Sequence, residues 1–296
     1  MSVFSPRPAL SPLAEARAWV AAHARVAAAS LPEAGKLAED LRVAAPIPAV
    51  MTARRGGWAV PAEATLGASP YGPVPLAGLR RVLAGQALPA GTDAVIPPDA
   101  AADAGRWIEV TESAAAGEGV VGPGGHLSAG QVLARAGERP SLLARLLAAG
   151  EAGAMRAQLA PLSGLLLGPV VEPAVSGLAA RPIEETMLGF GDDGAPAAML
   201  PDDPAALLLA WCALLAPASG QAEAVLTRKL PSLPGLADLV LVRLEEGRAS
   251  PLTAADQPSL AAFARASGWV EIAPGSEGRP EGSTVAVRLF PKLLAG

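Results

Sequence analysis

A chain of 296 residues with 51% hydrophobic side chains and a net charge of −5 can bury the core of two or three domains, which excludes a disordered protein. Lysine and arginine occur as pairs, such as Arg54-Arg55 and Arg80-Arg81, and never as a basic cluster, so nucleic acid is not an expected partner. The single cysteine, Cys212, lies in the apolar run ALLLAWCALLAP, which rules out an internal disulfide and a multi-cysteine zinc site and reads as a small buried hydrophobe.

Aromatic residues are only 3% of the chain, so the core has to be built from Ala, Leu and Val. The 32 glycines and 30 prolines are dispersed without a period, which favours many short strands and turns. The start of the chain, MSVFSPRPALSPLAEARAW, lacks the basic and then continuously apolar pattern of a secretory signal, and a cytoplasmic protein is expected. Ser11-Pro12-Leu13-Ala14-Glu15 has the form of a helix start, with Ser11 as N-cap and an Ala-rich run continuing to Ala29. Leu31–Val43 follows as a second amphipathic segment. APIPAV and ASPYGPVPLAG then bracket the strand-like WAV.

From Arg80 to Leu133, short apolar stretches alternate with Gly/Pro/Asp turns at roughly 8–12 residue spacing, the pattern of a small all-β domain. SLLARLLAAG, residues 141–150, returns to helical periodicity and ends on a glycine suited to a C-cap. Helix therefore flanks the β region on both sides, as expected of a β domain inserted into a helical one. Gly164–Leu200 reads as loop. Leu200–Ala216 reads as a helix that PDDP introduces, and the prolines, the Ser-Gly pair and Gln221 of Pro204–Ala222 favour a buried helix over a membrane span. ADLVLVRLEEGRASPL, SLAAFARASGWVEIAP and GSTVAVRLF then form strand, helix, strand and strand of a small α/β or barrel-like C-terminal domain.

GPGGHLSAG, residues 122–130, holds one of only two histidines. An imidazole in a glycine-rich loop suits a general base or a metal ligand; it equally suits a turn with an exposed His126 at its tip. Asp93, in PAGTDAV, reads as a turn residue capping its own backbone before a strand.

Several stretches, in order along the chain, resemble the molybdopterin molybdenumtransferases, bacterial MoeA and the E domain of gephyrin. They are GGWAV at 56–60, ALPAGTDAVIPPD at 87–99, GPGGHLSAGQVLARAG with SLLARLLAAG, AMLPDDPAALLLAW at 198–211, and GWVEIAP with GSTVAVRLF near the C-terminus. The resemblance implies a multidomain α+β fold, MoeA-like: a helical domain with an inserted β domain, a reduced third domain and a small β-rich C-terminal domain. The expected boundaries are 1–55 plus 134–160 for the helical domain, 56–133 for the β domain, 161–218 for the remnant of the molybdopterin-binding domain and 219–296 for the last. It also implies molybdopterin, magnesium and molybdate as the ligands of such a fold. A homodimer is expected, because LLLAWCALL in a small third segment would otherwise be exposed.

The departures from the family pattern fall where its chemistry lies. The family's Asp of M-D-G-Y falls on Gly56, the Glu-Asp of G-E-D-I on Gly125-His126 and the Arg before it on Val121. Its Thr falls on Ala84 and the glycine of P-G-N-P on Asp202, where two adjacent acids repel an anion unless a cation intervenes. Residues 161–197 are too few for the family's full third domain, and ARPIEETMLGFG stands where its lysines are expected, offering Arg181 and two glutamates.

His126 accordingly reads as a relic position, because a neutral imidazole is a poor magnesium ligand. No residue is assigned a catalytic or metal-binding role; Thr92, Asp93, His126, Asp202 and Asp203 are the candidate ligand-binding residues. The expected protein is a pseudoenzyme of molybdenum-cofactor biosynthesis, acting as a binding, regulatory or maturation partner. The alternatives are molybdenum insertion completed by a partner chain, and an unrelated small-ligand role on the inherited scaffold. Candidate partners are a full-length family member or a molybdoenzyme.

Overall fold

A computed structural model describes residues 10–25, 35–216, 220–255, 257–291 and 294. The first helix, α1 (Leu13–His23), buries Leu13, Ala16 and Val20 at helical spacing on one face. Ser11 does not cap it. Its backbone instead bonds to the far chain, with Ser11 N donating to Gly177 O at 3.0 Å and Ala179 N to Ser11 O at 2.8 Å. The helix ends at His23, with Ala24 already extended, short of the expected run to Ala29, whose residues 26–29 lie outside the described residues. So do residues 31–34 of the second amphipathic segment, and from 35 to 43 there is no helix. There the chain pairs with the turn at 135–138, Leu37 N donating to Glu138 O at 2.9 Å, and the short strand Leu41–Arg42 runs antiparallel to Val132–Ala134.

The β region is made of very short strands. Gly57–Val60 lies between Arg80–Val82 and Ala94–Ile96, and a second three-stranded sheet holds Val74–Leu76, Ile108–Val110 and Ala101–Asp103. Two small Ala/Val-rich cores lie beneath them, one around Val60, Ile96 and Val110 and one around Ala59, Val82 and Val95. Helix α2 (Leu142–Ala149) follows as its sequence predicts. Ser141 Oγ accepts from Ala144 N at 3.0 Å, and Gly150 ends the helix in the left-handed region at φ 72°. Helix α3 (Ala152–Leu159) starts two residues later.

Residues 164–200 form a four-stranded mixed sheet and correct the loop expectation. Leu166–Leu167 runs parallel to Pro196–Met199, which pairs antiparallel with Met187–Phe190, and that strand pairs with Glu172–Ser176. The strands are short and interrupted by Pro173, Gly189 and Pro196, so no period-2 alternation reaches the sequence. Helix α1 packs across this sheet. Helix α4 (Pro204–Ala210) continues as a π-helical turn over Trp211–Leu215, and every residue of 205–215 is at most 8% exposed. LLLAWCALL is thus the centre of the main core, against Leu146, Met155 and Leu239 among others, and its burial removes the exposure argument for a dimer. Cys212 is buried with it, which pushes its thiol up.

In the C-terminal part, Ala237–Glu245, Arg248–Pro251, Gln221–Leu226, Thr284–Leu289 and Gly268–Ile272 pair in that order, and the last pairs back to the first. The result is a closed five-stranded barrel. Its interior is filled by Val240, Val242, Val270, Ile272 and Val287. The barrel is tied to the middle sheet region by Ala180–Arg181, which runs parallel to Ala237–Asp238, and by a bidentate pair. Arg181 Nε and Nη2 donate to the Asp238 carboxylate at 2.6 and 3.0 Å. No helix among the described residues is long and apolar enough to cross a membrane.

Candidate functional site

The glycine-rich loop at 122–127 is held by the segment Ile47–Pro48. His126 N and Leu127 N donate to Ile47 O at 2.8 and 3.1 Å, and Gly124 N donates to Pro48 O at 2.9 Å. Gly150 packs on the other side of Ile47, where an added Cβ would overlap the Ile47 side chain, so only glycine serves both the left-handed cap and this contact. His126 is pressed inward. It is 3% exposed, not the exposed tip of a turn, and its Nε2 lies 3.0 Å from Asp203 Oδ2. Asp203 is equally buried, and its other oxygen accepts from Ala205 N and Ala206 N at 3.0 and 2.8 Å, capping α4.

A cleft of about 600 Å³ opens beside this pair, lined by Pro46, Pro48, Gly85, Gln86, His126 and Arg156 among others. That volume is in the range of small-molecule sites. Arg156 and Asp202 also border a second cavity of about 220 Å³, shared with Leu83 and Glu185. Arg156 Nη2 donates to Asp202 Oδ1 at 2.6 Å and to the carbonyls of Leu200 and Pro201 at 2.9 and 2.8 Å. The two adjacent acids therefore do not share a cation. Asp202 faces an arginine, and Asp203 faces a histidine and a helix start.

The β region reaches this place through residues 84–86. Ala84 N donates to Glu185 Oε1 at 3.0 Å, and a side chain on Gly85 would collide with the backbone of Asp202 and Asp203. Burial raises the Glu185 carboxyl, the charges of Asp202 and Asp203 raise it further, and the Ala84 N–H opposes them. Glu185 also covers Gly56: a Cβ there would come to 2.8 Å of Glu185 Oε1. Beside it, burial pushes the Glu184 carboxyl up to about 7, with the Glu185 and Asp238 charges adding and Arg181 opposing. At Gly125 an added Cβ would meet Val121 Cγ1 at 2.7 Å, so the loop has no room for an acid there.

His126 and Asp202 thus line one cleft, with Asp203 bonded to His126 behind its wall, while Thr92 and Asp93 are engaged elsewhere. Thr92 Oγ1 donates to Pro89 O at 2.7 Å. Asp93 does not cap its own backbone; its Oδ1 accepts from Ala62 N at 2.7 Å and so joins two segments of the β region. Arg156 and Gln86 carried no signal in the sequence, because docking between distant segments brings them to the cleft, and Glu185, noted only as one of two glutamates, lines the smaller cavity beside it. The donor set does not fit the magnesium ion that the resemblance implies. The nearby carboxylates are each held by an N–H or a cationic side chain, and among the described residues no three His, Cys, Asp or Glu side chains are grouped to hold a metal.

Two family models match the chain: the MoeA N-terminal region (domains I and II) over residues 11–150, and the MoeA C-terminal region (domain IV) over residues 223–290. Together they span more than half of it. No curated protein matches. Among solved structures, a molybdopterin biosynthesis MoeA protein from Pyrococcus horikoshii OT3 is 18% identical, with a TM-score of 0.44, covering 95% of this chain and 100% of its own. Another solved structure, of a molybdopterin biosynthesis MoeA protein from Pyrococcus horikoshii, is 21% identical with a TM-score of 0.42, covering 96% of this chain and 100% of its own. A molybdenum cofactor biosynthesis protein from Pyrococcus furiosus is 14% identical with a TM-score of 0.43, covering 95% and 100%.

Proposed function

Because the chain belongs to the MoeA family and so to molybdenum-cofactor biosynthesis, we propose that it binds a molybdopterin species in the cleft beside His126 without inserting molybdenum. It would serve as a binding, regulatory or maturation partner. One observation carries this reading: the chain holds a cleft of about 600 Å³, in the range of small-molecule sites, while nearby carboxylates are committed to Arg156, His126 and backbone N–H groups. Insertion needs hard oxygen ligands beside a diphosphate, and groups that act as a unit are not replaced singly. The cleft-forming segments come from the helical, β and reduced third parts of one chain, whose expected boundaries belong to the same proposal. The homodimer rests on the resemblance alone.

The test is a thermal-shift series with molybdopterin, adenylylated molybdopterin, molybdate and magnesium, run beside an insertion assay. Binding to the folded state raises the midpoint. A rise with a molybdopterin species and no insertion is the expected result. Insertion by the purified chain overturns the reading, and insertion that appears only on adding a full-length family member assigns the activity to a mixed assembly. Light scattering on the same sample tests the homodimer.

A further inference from the structure

We propose that His126 and Asp203 form a hydrogen-bonding dyad that reads an N–H or O–H donor on the ligand of the 600 Å³ cleft. A carboxylate oxygen only accepts, so at 3.0 Å from Asp203 Oδ2 the His126 Nε2 carries the proton and donates it. In the neutral imidazole, Nδ1 then holds the lone pair. Asp203 is fixed from behind by Ala205 N and Ala206 N, so the tautomer is set by the fold. Nδ1 is buried and has no hydrogen-bond partner among the described residues, and His126 lines the cleft.

A histidine kept only for packing is expected to satisfy both nitrogens, because a buried orphan is costly. Here one nitrogen is satisfied with care and the other is left open. A ligand donor placed against Nδ1 removes that cost, which makes the nitrogen a selector for a heterocycle edge bearing N–H. Gln86 and Arg156 on the same walls offer further polar contacts. The chain holds a built-in contrast. His23 Nδ1 lies 2.9 Å from the Trp19 carbonyl oxygen, which also only accepts, so His23 carries its proton on Nδ1 and His126 on Nε2.

The inference rests on the reading that this cleft takes a pterin-type ligand, and the experiment separates the two. Nitrogen-15 NMR of the two histidine side chains in the ligand-free protein is expected to show opposite neutral tautomers; an Nδ1-protonated His126 overturns the dyad. Fluorescence titration with pterin then compares His126→Gln, whose amide keeps a donor for Asp203 but has no acceptor at the Nδ1 position, with His126→Asn, whose oxygen can occupy that position. His126→Gln is expected to weaken binding at least tenfold with a melting temperature near that of the wild type, and His126→Asn to recover part of the loss. Wild-type binding that His126→Gln leaves unchanged overturns the dyad and leaves the proposed function standing. No pterin binding by the wild type overturns the proposed cleft function, and the dyad with it.

Discussion

Gly85 and Asp203 meet backbone to backbone: Gly85, at φ +85°, sits so close to the Asp202–Asp203 peptide that an added Cβ would overlap it. This is the point where the β region closes on the middle of the chain. Gly85→Ala combines a left-handed residue with overpacking against backbone that has no room to move, each a cost of about 1–3 kcal/mol. The expected result is a loss of at least about 2 kcal/mol in urea unfolding. A variant as stable as the wild type would show that this docking does not exist.

Gly56→Asp places a carboxylate against Glu185, whose carboxyl is already raised by burial and by Asp202 and Asp203. Stability should fall by about 1–3 kcal/mol, because Glu185 has to leave Ala84 N or both acids crowd one site. Adding Glu185→Gln should recover part of that loss, since the two positions are in contact and their effects do not add. Purely additive losses in the double variant would argue against the contact.

Glu184 makes stability pH-dependent in a stated direction. Its carboxyl rises from 4.5 to about 7 on folding, so the native state holds the proton more tightly. Its contribution is fully present below about 4.5 and is lost as pH climbs through about 7, as the linkage of pKa to folding requires. Glu185, raised in the same direction, adds to the fall. The urea midpoint of Glu184→Gln should therefore gain on the wild type between those two pH values. A constant gap between the two proteins across that window would contradict this.

Arg181→Ala leaves Asp238, 1% exposed, as a buried charge without its cation. Removal of one partner from such a pair costs about 3–5 kcal/mol. Arg181 also donates to Leu233 O at 2.8 Å, so the same change loosens the seam between the middle segment and the barrel. Calorimetry should show a lower melting temperature, and separate transitions for the barrel and the remainder would locate the loss at that seam. An unshifted melting temperature would mean that the pair contributes nothing to stability.

Local chemistry was legible in the sequence wherever a few neighbouring residues decide the outcome. The helical period of SLLARLLAAG and the glycine at its end announced α2 and its limit at Gly150; the structure adds Ser141 as its N-cap. The Ala/Leu/Val core, the buried Cys212 and the family itself were read in the same way, from composition and from stretches kept in order. The sheet at 164–200 was not legible, because its strands are too short and too broken by proline and glycine to show a period, and they are held by pairing across the chain. Ser11 looked like a cap and became a bridge to Leu178, a partner no local window contains. The cleft was decided by tertiary structure alone. His126 and Asp203 are 77 residues apart and Ala84 and Glu185 are 101 apart. A buried hydrogen bond between such groups depends on where two cores dock: the resemblance could single out His126 and Asp203, but not that they meet.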